Sequence, residues 1–216
     1  MACRSRLDRS LALSKANGAA YVSTHRNRRS QPALSDLARE TSAAKGAAPT
    51  VLVLMGVSGS GKSTIAAELH RVLGWPFQEG DDLHPPANVE KMRSGQPLDD
   101  QDRLPWLQAV ARWIDGQLAA HQPGIITCSD LKRAYREITI GARRGVTLVY
   151  LKAEEPVIQR RMLDRVHRYM PPSLLGSQFD TLEEPGEEER PITVTVHGSI
   201  ADTVIALLRQ LAERGR

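Results

Sequence analysis

Short apolar runs recur along the chain from Thr50 onward and alternate with stretches that have the periodicity of amphipathic helices. The candidate strands are Val51–Met55, Phe77–Glu79, Ile125–Cys128, Val146–Leu151 and Ile192–Val196. The first run is apolar at every position, as expected for a strand whose two faces are both covered. Strands that alternate with helices predict a parallel sheet with right-handed crossovers.

Three of the intervening stretches carry apolar residues at helical spacing, which predicts helices with one inward face. In the last stretch these residues are Ile200, Val204, Leu207, Leu208 and Leu211. In the middle of the chain they are Trp106, Val110 and Trp113 or Ile114, and after the first strand Ile65, Leu69 and Val72 or Leu73. The pattern predicts a single α/β domain over residues 50–216, without an internal repeat.

Residues 1–49 differ in composition from this domain. They contain nine Lys/Arg and three Asp/Glu, whereas the remaining residues contain 20 and 22. Because the segment lacks sustained apolar periodicity, it cannot bury enough surface to offset the entropy of ordering, and we expect a disordered basic leader. Its Arg- and Ser-rich composition fits a mitochondrial transit peptide, an unselected extension or a start codon assigned too early.

The formal net charge of +4 therefore belongs to the leader, and nucleic-acid binding by the domain gains no support from charge. No apolar stretch approaches the length of a membrane span. The two cysteines, Cys3 and Cys128, form neither a disulfide framework nor a zinc pattern, which is typical of a reducing compartment. We expect a soluble cytoplasmic protein that acts on a small molecule and binds neither nucleic acid nor membrane.

The strongest motif is a glycine-rich turn directly after the first predicted strand. The residues Gly56-Val57-Ser58-Gly59-Ser60-Gly61-Lys62-Ser63, followed by Thr64, match the pattern G-x-x-x-x-G-K-[ST]. Glycines allow successive backbone N–H groups to converge on phosphate oxygens, and the following helix adds its positive dipole end. Lys62 can reach the β and γ phosphates, and the Ser63 hydroxyl can ligate Mg²⁺. The motif predicts binding of ATP and Mg²⁺.

The rest of the chain separates the classes of phosphate-loop protein. An N-K-x-D element, which a GTPase would use to bind guanine, is absent from the sequence. The run Ile125–Cys128 leads to Asp130, which is at best an imperfect Walker-B acid. Polar groups that suit an acceptor substrate follow the loop instead, which favours a kinase.

Five blocks of the chain carry the remaining polar groups and the phosphate loop, namely Gly56–Thr64, Glu79–Met92, Gly95–Leu107, Thr127–Arg136 and Met170–Glu183. In this order they resemble gluconokinases of the small adenylate-kinase-like type. The resemblance implies a three-layer α/β/α P-loop kinase with a parallel sheet and a helical lid. It also implies MgATP-dependent phosphorylation of D-gluconate at its terminal hydroxyl, giving 6-phosphogluconate. Similar family members are homodimers, and the sequence neither supports nor refutes that assembly.

The resemblance also assigns acceptor-site residues. Asp81, in the family's glycine–aspartate step, is favoured over Asp82 as the carboxylate that orients the acceptor hydroxyl and takes its proton, or that holds magnesium through water. For Asp82 an N-cap or surface role is equally expected, and His84 is as well explained by loop packing as by substrate contact. Arg103 is expected to contact substrate or phosphate.

Basic residues follow the third predicted strand. Lys132 or Arg133 shares a helix face with Arg136, and such cations suit the carboxylate of gluconate or the charges of ATP. The matching block favours Lys132 and Arg136 as substrate contacts. Asp130 departs from the family, which usually has a small residue there, and its charge is expected to form a local ion pair that weakens an anion site.

The stretch Arg160–Met170 corresponds to the mobile lid. Arg161 and Arg165 fall at lid-arginine positions, where they would stabilise charge on the transferring phosphoryl group. The chain has His167-Arg168-Tyr169 where the family usually has glycine-histidine-phenylalanine, and we expect the loss of the glycine to alter the lid hinge. Gln178 is predicted to contact the acceptor.

Two other functions stay open at this point. A related small-molecule kinase, such as a shikimate-type enzyme, would be expected to lack the block around His84. A nucleotide-binding regulatory protein with little or no turnover is kept open by the departures at Asp130 and in the lid. The identity of the acceptor and the presence of turnover therefore distinguish the three hypotheses.

Overall fold

The computed structural model describes residues 50–163, 175–196 and 199–214, with the side chains of 160–163 and 175 excluded. The predicted leader and most of the predicted lid lie outside these residues. The described residues form five strands: β1 (Val51–Met55), β2 (Phe77–Gln78), β3 (Gly124–Thr127), β4 (Val146–Lys152) and β5 (Ile192–Thr195). All five predicted strands are confirmed to within one residue at either end.

Helices fill the connections between these strands. They are α1 (Lys62–Leu73), α2 (Pro86–Arg93), α3 (Asp100–Ala119), α4 (Arg133–Thr139), α5 (Glu155–Leu163), α6 (Leu175–Thr181) and α7 (Ile200–Arg214), with 3-10 helices at Gly80–Leu83 and Glu187–Glu189. Helix α3 begins with a capping box in which Asp99 and Asp102 each accept the other's backbone N–H, at 2.8 and 2.9 Å. No helix among the described residues has the length and apolar composition needed to span a membrane.

All strands run parallel in the order β2-β3-β1-β4-β5, which confirms the predicted sheet. The central strand β1 is fully buried, and its side chains alternate between two cores. Leu52 and Leu54 pack with α1 and α7, whereas Val51 and Val53 pack with α3 and α4. The two cores place helices on both faces of the sheet, which gives the three-layer architecture.

The predicted inward faces of the helices are largely confirmed. In α7, Val204, Leu207 and Leu208 are buried. Ile200, the first residue of α7, is 48% exposed, so the prediction that it packs inward is wrong and the inward face begins one turn later. In α3, Trp106 is 1% exposed and anchors the face that contacts the sheet.

Gly80 connects the sheet to the 3-10 helix that carries Asp81. Its N–H donates to Thr127 Oγ1 at 3.0 Å, and its carbonyl accepts from Trp106 Nε1 at 2.7 Å. A Cβ at Gly80 would lie 1.9 Å from the Thr127 carbonyl oxygen, so only glycine allows this approach. The contact fixes where Asp81 lies relative to the carboxyl end of β3.

We expect Gly80→Ala to lower the free energy of unfolding by about 2 kcal/mol, because the added methyl group must displace backbone. Urea unfolding of the purified proteins measures the change. Gly116→Ala is the matched control, since a Cβ at Gly116 meets nothing within 4 Å and the helix should gain about 0.5–1 kcal/mol. Equal stabilities of the two variants would contradict the account of Gly80.

Candidate active site

The glycine-rich turn lies at the carboxyl end of β1, as the motif predicts. Three of its glycines adopt positive φ angles, with Gly56 at 142°, Gly59 at 81° and Gly61 at 95°. A Cβ at Gly56 would also lie 2.9 Å from the carbonyl oxygen of Leu151. Its N–H donates to Ser129 O at 3.3 Å, which ties the turn to the loop after β3. Any other residue at these three positions would strain the backbone of the loop.

Lys62 begins α1 and folds back over the loop. Its ammonium donates to Gly56 O at 2.8 Å and to Val57 O at 3.1 Å. Burial lowers the pKa of Lys62, and the charges of Asp81 and Glu79 oppose that shift. The loop therefore holds a partly desolvated cation that two carboxylates help to keep protonated.

Asp81 lies in the 3-10 helix beside this cation. Burial raises the pKa of the Asp81 carboxyl, the charge of Lys62 opposes the rise, and Glu79 and Asp82 add to it. Asp81 is half-buried, whereas Asp82 is exposed. Of the two neighbouring acids, Asp81 is the one placed to act at the loop.

Glu79 is a site residue to which the sequence analysis assigned no role. Its carboxylate accepts a hydrogen bond from Thr127 Oγ1, and its charge acts on both Lys62 and Asp81. The available signal was its place directly before Gly80 in the second matching block. Thr127 also begins a matching block, but its bond to Glu79 forms only once β2 and β3 are paired.

His84 is held by packing in the loop before α2. Its ring stacks on Trp106 with centroids 4.2 Å apart and planes at 14°, and its Nδ1 lies 3.5 Å from Asn88 Nδ2. Burial and the nearby charge of Arg103 lower the pKa of His84 to about 4, so the ring is neutral at pH 7. Loop packing accounts for these contacts, and substrate contact stays a prediction.

Arg103 and Lys132 approach the same aromatic ring. The Arg103 guanidinium carbon lies 5.8 Å and Lys132 Nζ 5.4 Å from the centre of the Tyr135 ring. Asp100 accepts from Lys132 Nζ at 2.7 and 2.9 Å and from the Tyr135 hydroxyl at 2.5 Å. Arg103 forms no ion pair with an acid among residues 50–163, 175–196 and 199–214. Neither Asp100 nor Tyr135 was predicted from the sequence to take part in the site.

The predicted substrate contact of Arg136 is wrong. The side chain is 2% exposed and forms a two-pronged ion pair with Glu189, at 2.6 and 2.8 Å. Its remaining terminal nitrogen donates to Asp130 O at 3.1 Å and Glu183 O at 2.9 Å. Four of the five guanidinium N–H donors are paired within the protein and the group is buried, so Arg136 is used within the fold, where it joins α4 to the segment before β5.

Asp130 is fully buried and has a left-handed backbone with a φ of 43°. Its carboxylate accepts from Thr139 Oγ1 at 3.2 Å, whereas Arg136 bonds its carbonyl oxygen. The expected ion pair between Asp130 and a neighbouring cation is therefore not seen within the described part of the chain. Burial raises the pKa of Asp130 to about 6. Cys128 is buried, as predicted, in the core beneath α3.

Gln178 contacts the phosphate loop. Its Oε1 accepts a hydrogen bond from the Ser58 N–H at 2.7 Å, which joins α6 to the loop across the site. The predicted contact of Gln178 with the acceptor stays a prediction. Arg165 and the side chain of Arg161 lie outside the described residues, and so does the lid segment His167-Arg168-Tyr169.

A glycine-rich loop between a central parallel strand and a helix, with Lys62 folded over it, defines a P-loop nucleotide-binding protein. A family model described as AAA domain matches residues 51–185. The gluconokinase of Gluconobacter oxydans is 49% identical over 150 residues, covering 69% of this chain and 84% of the relative. The thermoresistant gluconokinase of Escherichia coli is 38% identical over 166 residues, covering 77% and 95%.

A solved structure gives the same result. The crystal structure of a gluconokinase from Sinorhizobium meliloti superposes with a TM-score of 0.67 at 43% identity, covering 77% of this chain and 94% of the other. The chain belongs to the gluconokinase family. The resemblance predicted from the five sequence blocks is thereby confirmed, together with the fold class.

The buried Asp130 predicts a pH-dependent stability. Unfolding returns its pKa from about 6 to about 4, so the folded state holds the proton more tightly and loses stability as pH rises from 4 through 6. Asp130→Asn cannot ionise and tolerates a left-handed φ. We expect the variant to be more stable than the parent by about 2–3 kcal/mol at pH 8 and nearly equal at pH 4.

Urea unfolding at both pH values measures this difference. Asp180→Asn, on α6, gives a control carboxylate that is exposed. A stability difference for Asp130→Asn that does not change between pH 4 and pH 8 would show that the fold does not raise the pKa of Asp130.

Proposed function

We propose that this protein transfers the γ-phosphoryl group of ATP to the terminal hydroxyl of D-gluconate and forms 6-phospho-D-gluconate. The observation that carries the proposal is the placement of Asp81 beside Lys62, with Arg103 near His84 and Tyr135. A carboxylate at the phosphate loop, together with the cation Arg103 near His84 and Tyr135, suits an acceptor that has both a hydroxyl and a carboxylate. Membership of the gluconokinase family supports this choice of acceptor.

The loop supplies the nucleotide end of the site. Its N–H groups and the start of α1 favour the anionic phosphates, and Lys62 exchanges its bonds to Gly56 O and Val57 O for phosphate oxygens. Ser63 is exposed in the first turn of α1, next to Lys62, which suits a hydroxyl ligand to phosphate-bound Mg²⁺. Mg²⁺, when bound, would neutralise phosphate charge there.

Asp81 acts on the acceptor. Its carboxylate orients the acceptor hydroxyl and takes the proton as the hydroxyl oxygen bonds to the γ phosphorus. The bond from the γ phosphorus to the β–γ bridging oxygen breaks, and ADP leaves with that electron pair. A pKa raised by burial suits Asp81 to this role, because a stronger base accepts the proton more readily near neutral pH.

We assign binding of the acceptor carboxylate to Arg103 and Lys132. Arg103 donates through Nε to Leu98 O at 3.3 Å, and its terminal nitrogens form no hydrogen bond within the described residues. Lys132 is oriented by Asp100 and keeps its charge near Tyr135. Arg161 and Arg165 are proposed to neutralise the transferring phosphoryl group from the lid.

The alternatives are less well supported. A shikimate-type acceptor has no support from the family to which the chain belongs. The departures at Asp130 and in the lid favoured a non-catalytic nucleotide-binding protein, yet the Asp130 carboxyl is bonded by Thr139 and its charge supports the protonated Lys62, as the charges of Asp81 and Glu79 do. The catalytic function is therefore preferred.

Asp81→Asn tests the proposed base. We expect kcat with gluconate to fall by about 10²–10⁴-fold, because the amide cannot accept the proton, while the KM for ATP changes little. Asp82→Asn removes the same charge from the exposed neighbour and should change kcat less than fivefold, roughly the effect of a surface substitution. Coupled assay of ADP release measures both variants, and equal losses of kcat would refute the assignment.

The acceptor itself is tested with the unaltered protein. Purified protein with MgATP should form 6-phosphogluconate and prefer gluconate to shikimate and to other sugar acids. Strong preference for another acceptor would overturn the substrate assignment but leave the kinase class intact. Tight ATP binding without 6-phosphogluconate at any gluconate concentration would favour the regulatory alternative.

A further inference from the structure

A cavity of about 410 Å³ lies beside β4, separate from the phosphate loop. Val146 and Leu148 line it, and Val146 pairs with Val51 at the end of β1 opposite Gly56. The cavity is not lined by any residue of the phosphate loop or by Asp81. Its volume lies within the range of small-molecule sites.

Arginines dominate the lining of this cavity. The five are Arg133, Arg136, Arg143, Arg190 and Arg214. Three of them bond carboxylates, in the pairs Arg133–Glu188 at 2.7 Å, Arg136–Glu189 at 2.6 Å and Arg143–Asp115 at 2.6 Å. The charges of these three are therefore compensated within the fold.

The other two arginines are not compensated in this way. Glu137, the remaining acid of the lining, lies 3.4 Å from Arg133 Nε. Arg190 and Arg214 have no carboxylate partner among the residues that the structure describes. Arg214 Nη2 donates to the carbonyl of Pro191 at 2.7 Å, a bond that leaves its charge unneutralised. With Glu137 and Asp115 counted, these side chains carry a net charge of +1, and within the described chain the two positive charges without a carboxylate partner are those of Arg190 and Arg214.

These two charges act on each other. Burial lowers the pKa of Arg214, and the positive charge of Arg190 lowers it further. Arg190 has a left-handed backbone with a φ of 46°, which costs an L-residue about 1 kcal/mol, and its N–H donates to Glu187 O at 3.0 Å. The fold therefore holds two like charges at one cavity and strains the backbone of one of them.

We propose that the cavity binds a phosphate dianion, free or as a sugar phosphate, between Arg190 and Arg214. A phosphate monoester carries about −1.5 to −2 charge at pH 7, which matches two guanidinium groups, whereas a single carboxylate neutralises only one. Guanidinium groups bind phosphate oxygens in pairs of parallel hydrogen bonds. The site is independent of the phosphoryl-transfer reaction, and its failure would leave the kinase assignment unchanged.

Binding of inorganic phosphate, measured by isothermal titration calorimetry at low ionic strength, tests the proposal. Lys62→Ala serves as the parent, because it removes the cation with which the phosphate loop would bind the same probe. Adding Arg190→Gln and Arg214→Gln should weaken phosphate binding at least tenfold. Adding Arg93→Gln and Arg112→Gln removes the same charge from exposed positions outside the cavity and should change the Kd less than twofold.

A second pair of variants separates charge from folding. Arg190→Lys with Arg214→Lys retains both charges and should bind phosphate within about fivefold of the parent, with an unchanged thermal midpoint. Parent protein without phosphate binding would overturn the proposal, and so would equal weakening in the cavity and control variants. A folded lysine variant that binds as weakly as the glutamine variant would assign the binding to the paired guanidinium hydrogen bonds and not to charge alone.

Titration with a hexose 6-phosphate identifies the source of the phosphate group. Tighter binding than inorganic phosphate, lost in the Arg190→Gln/Arg214→Gln protein, would assign the cavity to a sugar phosphate. Equal affinities, lost in the same variant, would assign it to free phosphate. The unphosphorylated hexose should give no heat at this site, and binding as tight as that of its phosphate would contradict recognition of a dianion.

Discussion

The position of the Lys62 ammonium at the carboxyl end of β1 constrains the rest of the site. The group is partly desolvated and bonded to the carbonyls of Gly56 and Val57, so its charge needs support from nearby acids. Asp81 and Glu79 give that support. Both follow β2, which is separated from β1 in the sheet by β3. Phosphate oxygens can replace the two carbonyls without removing the acids, which leaves Asp81 beside the reacting group.

A second layer of contacts holds Asp81 in place. Gly80 fits between Thr127 and Trp106 with hydrogen bonds on both sides, and the Trp106 ring also supports His84. The sheet and α3 therefore determine where the proposed base lies. Rigid elements of this kind place catalytic groups more accurately than a free loop could.

The segment before β5 has a structural role. Glu188 and Glu189 of this segment form ion pairs with Arg133 and Arg136 of α4. Arg136 also donates a hydrogen bond to the backbone carbonyl of Asp130. Because the Asp130 loop also accepts the N–H of Gly56 through Ser129, these contacts reach the phosphate loop. Helix α6 reaches it from another direction through Gln178.

Features set by local pattern could be predicted from the sequence. The strands, the inward faces of α3 and α7, the capping box at Asp99 and the phosphate loop each depend on residues a few positions apart. Arg136 could not be predicted, because its partner Glu189 is 53 positions away and only the fold brings the two together. Tyr135 was missed for the same physical reason, since its bond to Asp100 joins α4 to α3. Glu79 stands in a matching block, but its bond from Thr127 depends on the pairing of β2 with β3.

Calorimetric titration of the protein with MgATP, compared with Lys62→Ala, tests the central claim most directly. The account predicts binding with thermal protection for the parent. It predicts at least tenfold weaker binding for Lys62→Ala with its fold retained, because a charge-assisted bond to phosphate is lost. A well-folded parent that gives neither heat nor protection, or a variant that binds equally tightly, would contradict it.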